Sequence, residues 1–273
     1  MAVATCAVPN VDPDQPLLLD ELARAGVEAR ALAWDDPSAC WDDFDLVVVR
    51  STWDYAPRRA RFLDWARGRA RVANPVAALE YSSDKHYLAD LAARGVPVVP
   101  TAFYDVGAAL GDVSGDVVVK PAVGAGSFDA ARHRAGEGDA ARAHVARLHT
   151  LGRDAMVQPY LDSVDDLGEH ALVFVDGELT HAMTKSALLN TPEPERTRAF
   201  RAGAVSPAEP EPKAVEVARA ALEPFDDLLY ARVDLVRDAG AWAVLELELV
   251  EPSLFLTHHP PAARRLAEAI ARR

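Results

Sequence analysis

At 273 residues, half of them hydrophobic and 26% charged, the chain is long enough to bury a substantial core, and its composition excludes a fibrous or disordered protein. Its 42 acidic against 29 basic residues leave a net charge of -13, which argues against nucleic acid or an anionic membrane as partner, though not against a small anion met by a local basic patch. The two cysteines, Cys6 and Cys40, stand in no metal or redox spacing; no apolar run spans a bilayer and no leader pattern is present, so the chain reads as cytoplasmic.

Met1 to Val8 predicts a short strand, and Leu17 to Ala25, closed by Gly26, a helix. Val27 to Trp34 alternates like a second strand, and the apolar run Phe44 to Val49 predicts a third, covered on both faces. This β-α-β-loop-β order predicts an open parallel sheet over residues 1–75. Ligands of such sheets sit beyond the carboxyl ends of the strands. There the chain places Arg50, Ser51, Thr52, Trp53, Asp54 and Tyr55. Arg50 suits a bidentate pair with a substrate carboxylate, Asp54 an amine, and Trp53 and Tyr55 the walls of a pocket. The alternative is that Trp53 and Tyr55 pack in the core while Ser51-Thr52 cap the next helix, Arg58 to Gly68.

Ala77 to Arg94 predicts one amphipathic helix carrying Lys85, and Gly115 to Pro121 a strand ending at Lys120. The small-residue loop that follows, with Gly124, Gly126 and Ser127, would let backbone N–H groups approach phosphate while the lysine neutralises it. The lysine precedes the glycines, so this is not a P-loop. Ala140 to Leu151 predicts a helix. Met156 to Leu161 predicts a strand stopped at Pro159, with backbone groups of Tyr160 and Leu161 free for an adenine edge. Asp162 to Glu169 is an acidic loop. A hairpin turns at Asp176-Gly177, and its second strand leads to Lys185. Ser186 to Pro212 shows no periodicity and reads as a lid or a disordered loop, with Arg196, Arg198 and Arg201 either over phosphate or solvated. Lys213 to Leu222 predicts a helix, and another helix ends the chain. The adjacent His258 and His259 project differently, which speaks against a metal pair.

Between these helices lies an acidic hairpin, Arg232 to Val236 and Ala243 to Val250 about Asp238-Ala239-Gly240. Alternation places Arg232 and Asp234 on one strand face, and Glu246 and Glu248 on one face of the other. Such a cluster is either a solvated strand face or a set of hard oxygen ligands suited to Mg2+ beside substrate phosphates.

The order of these motifs resembles the ATP-grasp superfamily: a strand lysine with a small-residue loop, Gln158-Pro159-Tyr160, Gly168-Glu169, Lys185, Arg232-x-Asp234 and Glu246-x-Glu248. Arg50 to Tyr55 and the ending Leu245 to Leu256 resemble its O-ureidoserine cyclo-ligase group. The resemblance implies an α/β ATP-grasp fold with an N-terminal Rossmann-like (pre-ATP-grasp) domain over 1–75, a central domain over 76–155 and a C-terminal domain over 156–273. It implies ATP held by Lys85, Lys120, the flap Gly124, Gly126 and Ser127, the adenine contacts Gln158, Tyr160 and Leu161, and Glu169 at the ribose. It implies Mg2+ on Asp234, Glu246 and Glu248, Lys185 near the γ-phosphate and Arg232 at the developing oxyanion. Glu248 stands where relatives commonly carry Asn, and no Gly-Gly follows Phe200-Arg201. The implied reaction is ATP-dependent C–N ligation through an acyl phosphate, forming ADP and phosphate. Its substrate is a small amino-acid derivative, and ring closure is the sharper form. An intermolecular amino-acid ligase and a nucleotide binder without turnover are the alternatives, and a homodimer is a family-level expectation.

Overall fold

A computed structural model describes residues 1–8, 11–187, 189 and 205–273. The first sheet contains β1 (Ala2–Thr5), β2 (Arg30–Ala33), β3 (Val47–Ser51) and β4 (Val72–Ala73), all parallel in the order β2-β1-β3-β4. The valines of β3 explain its place. Val48 packs with Leu18 and Leu22 of α1 (Gln15–Arg24) on one face, while Val47 and Val49 pack with Phe62, Leu63 and Ala66 of α2 (Arg59–Arg67) on the other. Strand order reverses between β1 and β3, so a crevice opens at their carboxyl ends, where Arg50, Ser51 and Thr52 lie.

The helix expected over 77–94 is two helices, α3 (Val76–Ser82) and α4 (Tyr87–Ala93). The break has a local cause. The Asp84 carboxylate accepts the His86 N–H at 3.2 Å, competing with the helix ladder, and the Lys85 N–H donates to Ala122 O at 3.0 Å. The break draws Lys85 against the end of the second sheet. That antiparallel sheet contains β5 (Ala102–Tyr104), β6 (Val117–Pro121), β7 (Ala131–His133) and β8 (Ala155–Pro159), in the order β5-β8-β6-β7. Helix α5 (Gly138–Thr150) covers one face of it through Ala141, Val145 and Leu148. Strand β8 pairs with β5 and β6, so a division at 155/156 would cut it from its own sheet.

The acidic stretch after β8 folds as a short helix, α6 (Ser163–Leu167). The third sheet is antiparallel in the order β11-β10-β9-β12-β13: β9 (Glu169–Val175), β10 (Glu178–Lys185), β11 (Val205–Ala208), β12 (Tyr230–Asp238) and β13 (Ala241–Glu248). Alternation along β9 sorts its two faces. Leu172 and Phe174 pack with α4 and α7 (Pro212–Leu222), whereas Ala171, Val173 and Val175 join a core shared with α1 and α8 (Pro260–Ala271). The N-terminal sheet and the third sheet are thus joined through α1 on α8. Both predicted hairpin turns form, with consecutive left-handed residues at Asp176-Gly177 (φ 53° and 77°) and Ala239-Gly240 (φ 46° and 85°). Strand β11 lies within the stretch expected to be aperiodic loop; Arg196, Arg198 and Arg201 lie outside the described residues. Among the described residues no helix is long and apolar enough to cross a membrane.

Candidate functional site

The acidic hairpin sets the site. Its register pairs Arg232 with Glu248 and Asp234 with Glu246, then slips, so that Leu235 faces Val244 and Leu245 is left over as a bulge. A bulge re-aims the residues beside it. Asp234, Glu246 and Glu248 here offer carboxylate oxygens that lie within 4.8 Å of one another. Arg232 binds this cluster. Its Nε donates to Asp234 Oδ1 at 2.8 Å, and its Nη2 to Asp234 Oδ2 at 3.0 Å and Glu248 Oε1 at 2.5 Å.

Three lysines surround the trio. Lys185, at the end of β10, lies 2.6 Å from Asp234 Oδ2 and 2.8 Å from Glu169 Oε2. Lys85 is 2.9 Å from Glu246 Oε1 and donates to Gly124 O at 2.8 Å. Lys120 stands at the end of β6, where burial pushes its ammonium below the ordinary lysine value and Glu246 acts against that. The same opposition governs the acids. Burial alone would raise Asp234, but Arg232 and Lys185 hold it down at about 2. Burial likewise raises Glu246, and Lys85 and Lys120 reverse it. Glu248 is left over: burial, reinforced by Glu246 and Asp234, pushes it up to about 7 despite Arg232. The trio thus gathers hard carboxylate oxygens within reach of one another, a donor set that fits a divalent cation.

The loop after β6 requires its small residues. A Cβ on Gly124 would lie 3.1 Å from Pro121 Cγ, and Gly126 and Ser127 take left-handed φ of 61° and 56°. Lys85 holds the start of this loop through Gly124 O. At its end the Asp129 carboxylate is paired with Arg147 and lies 3.8 Å from Arg153 Nη1. On the opposite side, two of the backbone groups expected to be free are used within the protein. The Tyr160 N–H donates to Asp116 O at 2.8 Å and Leu161 O accepts from Val164 N at 3.0 Å, because the chain turns into α6 immediately after β8. Gln158 is buried and donates to Thr101 Oγ1 at 2.9 Å, Tyr160 lies under the Arg132 guanidinium, and Leu161 packs beside Val99 and Val236.

The loop after β3 is largely committed to the protein itself, which corrects several of its expected substrate contacts. Asp54 accepts from Trp34 Nε1 at 2.8 Å and Arg58 Nη2 at 2.5 Å, so it is not a free amine receptor. Tyr55 is buried against Phe62, with ring centroids 4.8 Å apart, as a core residue. Ser51 bonds Thr5 at 2.9 Å. Trp53 and Arg50 reach the segment that leaves β13. There six successive carbonyls each accept from a different side chain: Leu249 from Asn74, Val250 from Tyr230, Glu251 from Trp53, Pro252 from Arg50, Ser253 from Arg232 and Leu254 from His181, all at 2.9–3.0 Å. An extended segment without a strand partner must satisfy its carbonyls in some such way. Asn74, Tyr230 and His181 were not anticipated in this role, since no short-range pattern announces a donor that acts across 20 to 175 residues. Arg50 Nη1 and Thr52 Oγ1 remain buried without a partner among the described residues.

His181 makes this segment sensitive to acid. Its Nε2–H donates to Leu254 O and its ring stacks on His259, with centroids 4.8 Å apart. Burial, with His259 adding, pushes its pKa down to about 4. The folded state therefore holds its proton less well than the unfolded chain. The contribution is complete above the unfolded value and is lost as pH falls towards 4. From pH 7.5 to 5, the wild type is expected to lose about 2 kcal/mol more unfolding free energy than His181→Asn. Urea titrations of both proteins check this; equal losses would contradict it.

Residues 1–77 match the family model for the N-terminal domain of D-cycloserine synthetase DcsG. The whole chain aligns at 37% identity with 98% of the cycloserine biosynthesis protein DcsG of Streptomyces lavendulae. It superposes on the crystal structure of D-cycloserine synthetase DcsG with a TM-score of 0.89 at 36% identity, covering all of this chain and 98% of that one. Two more distant structures share the fold: an ATP-grasp RimK domain protein from Sphaerobacter thermophilus (TM-score 0.70, 19% identity, 99% and 98% covered) and the D-alanine–D-alanine ligase of Bacillus anthracis in complex with ATP (0.69, 13%, 99% and 95%). With identity and fold shared from end to end, the chain belongs to the DcsG family of ATP-grasp ligases.

Proposed function

We propose that this ligase uses ATP to convert the carboxylate of a small amino-acid derivative into an acyl phosphate, which a nitrogen of the same molecule attacks. The reaction is an intramolecular C–N closure of the O-ureidoserine type and yields a cycloserine-like ring, ADP and phosphate. The observation that carries this reading is the buried Arg232–Asp234–Glu248 network with Lys85, Lys120 and Lys185 around one acid trio, on a chain related along its whole length to DcsG.

The ATP-grasp family binds ATP, and here Lys85, Lys120 and the flap Gly124, Gly126 and Ser127 are the groups that would take its phosphates. Gln158, Tyr160 and Leu161 would flank adenine and Glu169 would meet the ribose. Asp234, Glu246 and Glu248 would hold Mg2+. Bound there, Mg2+ would neutralise phosphate oxygens and orient the transferring group. Lys185, anchored between Glu169 and Asp234, places a positive charge at the γ-phosphate. Arg232, fixed on three sides, stabilises the acyl phosphate and the oxyanion formed on attack. Arg50 and Thr52, with unpartnered donors at the β1/β3 crevice among the described residues, take the polar end of the substrate.

ADP release measured against a panel of amino-acid derivatives tests the reading. ADP is expected with a single organic substrate of the O-ureidoserine type. Release only on addition of a second amine, or none above background, would overturn it.

The flap anchor yields a separate prediction. Asp129→Asn is expected to raise KM for ATP about two- to fivefold, the worth of one partly exposed ion pair, while KM for the amino-acid substrate stays unchanged. Steady-state kinetics with each substrate varied in turn check this; parallel changes in both KM values would contradict it.

A further inference from the structure

Every acid of the site has a cation against it except one. Asp234 is held by Arg232 and Lys185, Glu246 by Lys85, Glu248 by Arg232 and Glu169 by Lys185. Glu251, three residues beyond the trio, is only 9% exposed, yet among the described residues no hydrogen bond or ion pair reaches its carboxylate; its backbone carbonyl alone is used, by Trp53. The groups it interacts with most strongly are Glu248, Lys85, Glu246 and Arg232 on one side, and Tyr55 and Tyr230 on the other. It therefore stands between the loop after β3 and the acid trio. A buried carboxylate without a partner is unfavourable, so a ligand that supplies the missing charge gains what the empty protein forgoes. A second observation points to the same place. The loop that bonds Glu251 through Trp53 also carries the two orphaned donors, Arg50 Nη1 and Thr52 Oγ1, both fully buried. An acceptor that needs a cation and donors that need an acceptor are what a zwitterionic molecule with a polar tail would satisfy.

We propose that Glu251 binds the α-ammonium group of the substrate and so restricts the enzyme to amino acids among carboxylates. The ammonium donates to the Glu251 carboxylate, while the substrate carboxylate faces Arg232, whose Nη1 is bonded to Ser253 O two residues further along the same segment. This assignment rests on the amino-acid substrate of the preceding section. Burial and the neighbouring Glu248 also push the Glu251 carboxyl well above its ordinary range, as expected of a group whose charge partner arrives with the ligand.

Steady-state kinetics of the wild type and Glu251→Gln, with the cyclising substrate and with its desamino analogue, test the proposal. The wild type is expected to prefer the amino compound in kcat/KM by about a hundredfold, as for a hydrogen bond to a charged group. Glu251→Gln is expected to bring that preference to within about threefold of parity, mainly through KM for the amino compound, with KM for ATP unchanged. Glu251→Asp, which keeps the charge, is expected to retain most of the preference and guards against a fold defect in the glutamine variant. Equal losses on both compounds, or an undiminished preference, would overturn the role of Glu251. If the wild type turns over no amino acid at all, the amino-acid reading itself falls, and the role of Glu251 with it.

Discussion

Arg232→Lys is expected to lower kcat by about a hundred- to a thousandfold, the effect of removing one preorganised oxyanion donor. The guanidinium touches Asp234 with two nitrogens, Glu248 with one and Ser253 O with another, and lies 5.4 Å over the Phe255 ring. A lysine ammonium is a point charge and cannot reproduce that planar fork. The substitution would keep the net charge but leave Glu248 without its only described cation, in a setting where burial already raises its carboxyl to about 7. A stability loss of about 2–4 kcal/mol is expected to accompany the kinetic defect, because one acid of a buried network is left unpaired. Comparing kcat with the urea midpoint separates the two effects. A variant with near-normal kcat would remove Arg232 from the chemistry, whatever its stability.

Gly168→Ala is the second large effect. Gly168 ends α6 and opens β9 with φ 72° and ψ -174°, a region open essentially only to glycine. A Cβ there would lie 2.6 Å from Lys185 O and 2.7 Å from Thr184 Cγ2. The first of these is backbone and cannot rotate away. The strain falls on the residues that carry the Lys185–Glu169 pair, so turnover should fall together with stability, by about 3 kcal/mol or more. Gly177→Ala is the control. It too has a left-handed φ, of 77°, but nothing lies within 4 Å of its added Cβ, and a loss of only about 1 kcal/mol is expected. Thermal and urea unfolding of both variants measure the difference; equal losses would show that the close approach at Lys185 has no consequence.

The acid trio and the hairpin that carries it were legible in the chain because they depend on period-two alternation and a two-residue left-handed turn, both local signals. Lys120 and the small-residue loop after it were legible for the same reason, as a strand followed at once by small residues. The bulge at Leu245 was not, since an extra residue in an apolar alternation looks like more strand. The break between α3 and α4 was hidden because Ser83-Asp84-Lys85 suits a helix surface as well as a turn; what decides is the bond from Lys85 N–H to Ala122 O, 37 residues away. Strand β11, Val-Ser-Pro-Ala on a sheet edge, has neither alternation nor β-branched density. The polar loop after β3 reads in sequence as the lining of a pocket because polarity at a strand's carboxyl end has that meaning on average. Here much of it braces residues 249–254, and only Arg50 Nη1 and Thr52 Oγ1 stay free to meet a ligand among the described residues. Glu251, given no role from sequence, became informative only when every other carboxylate around it proved to be paired.

In the proposed reaction a substrate carboxylate is phosphorylated, and a nitrogen of the same molecule then attacks the acyl carbon and displaces phosphate. An O-ureidoserine-type substrate labelled with 18O in both carboxylate oxygens tests it most directly. Each turnover is expected to transfer one 18O to inorganic phosphate and to leave the other in the carbonyl of the cyclic product. Unlabelled phosphate alongside ring formation would contradict it, because the carboxylate would then never have carried the phosphoryl group.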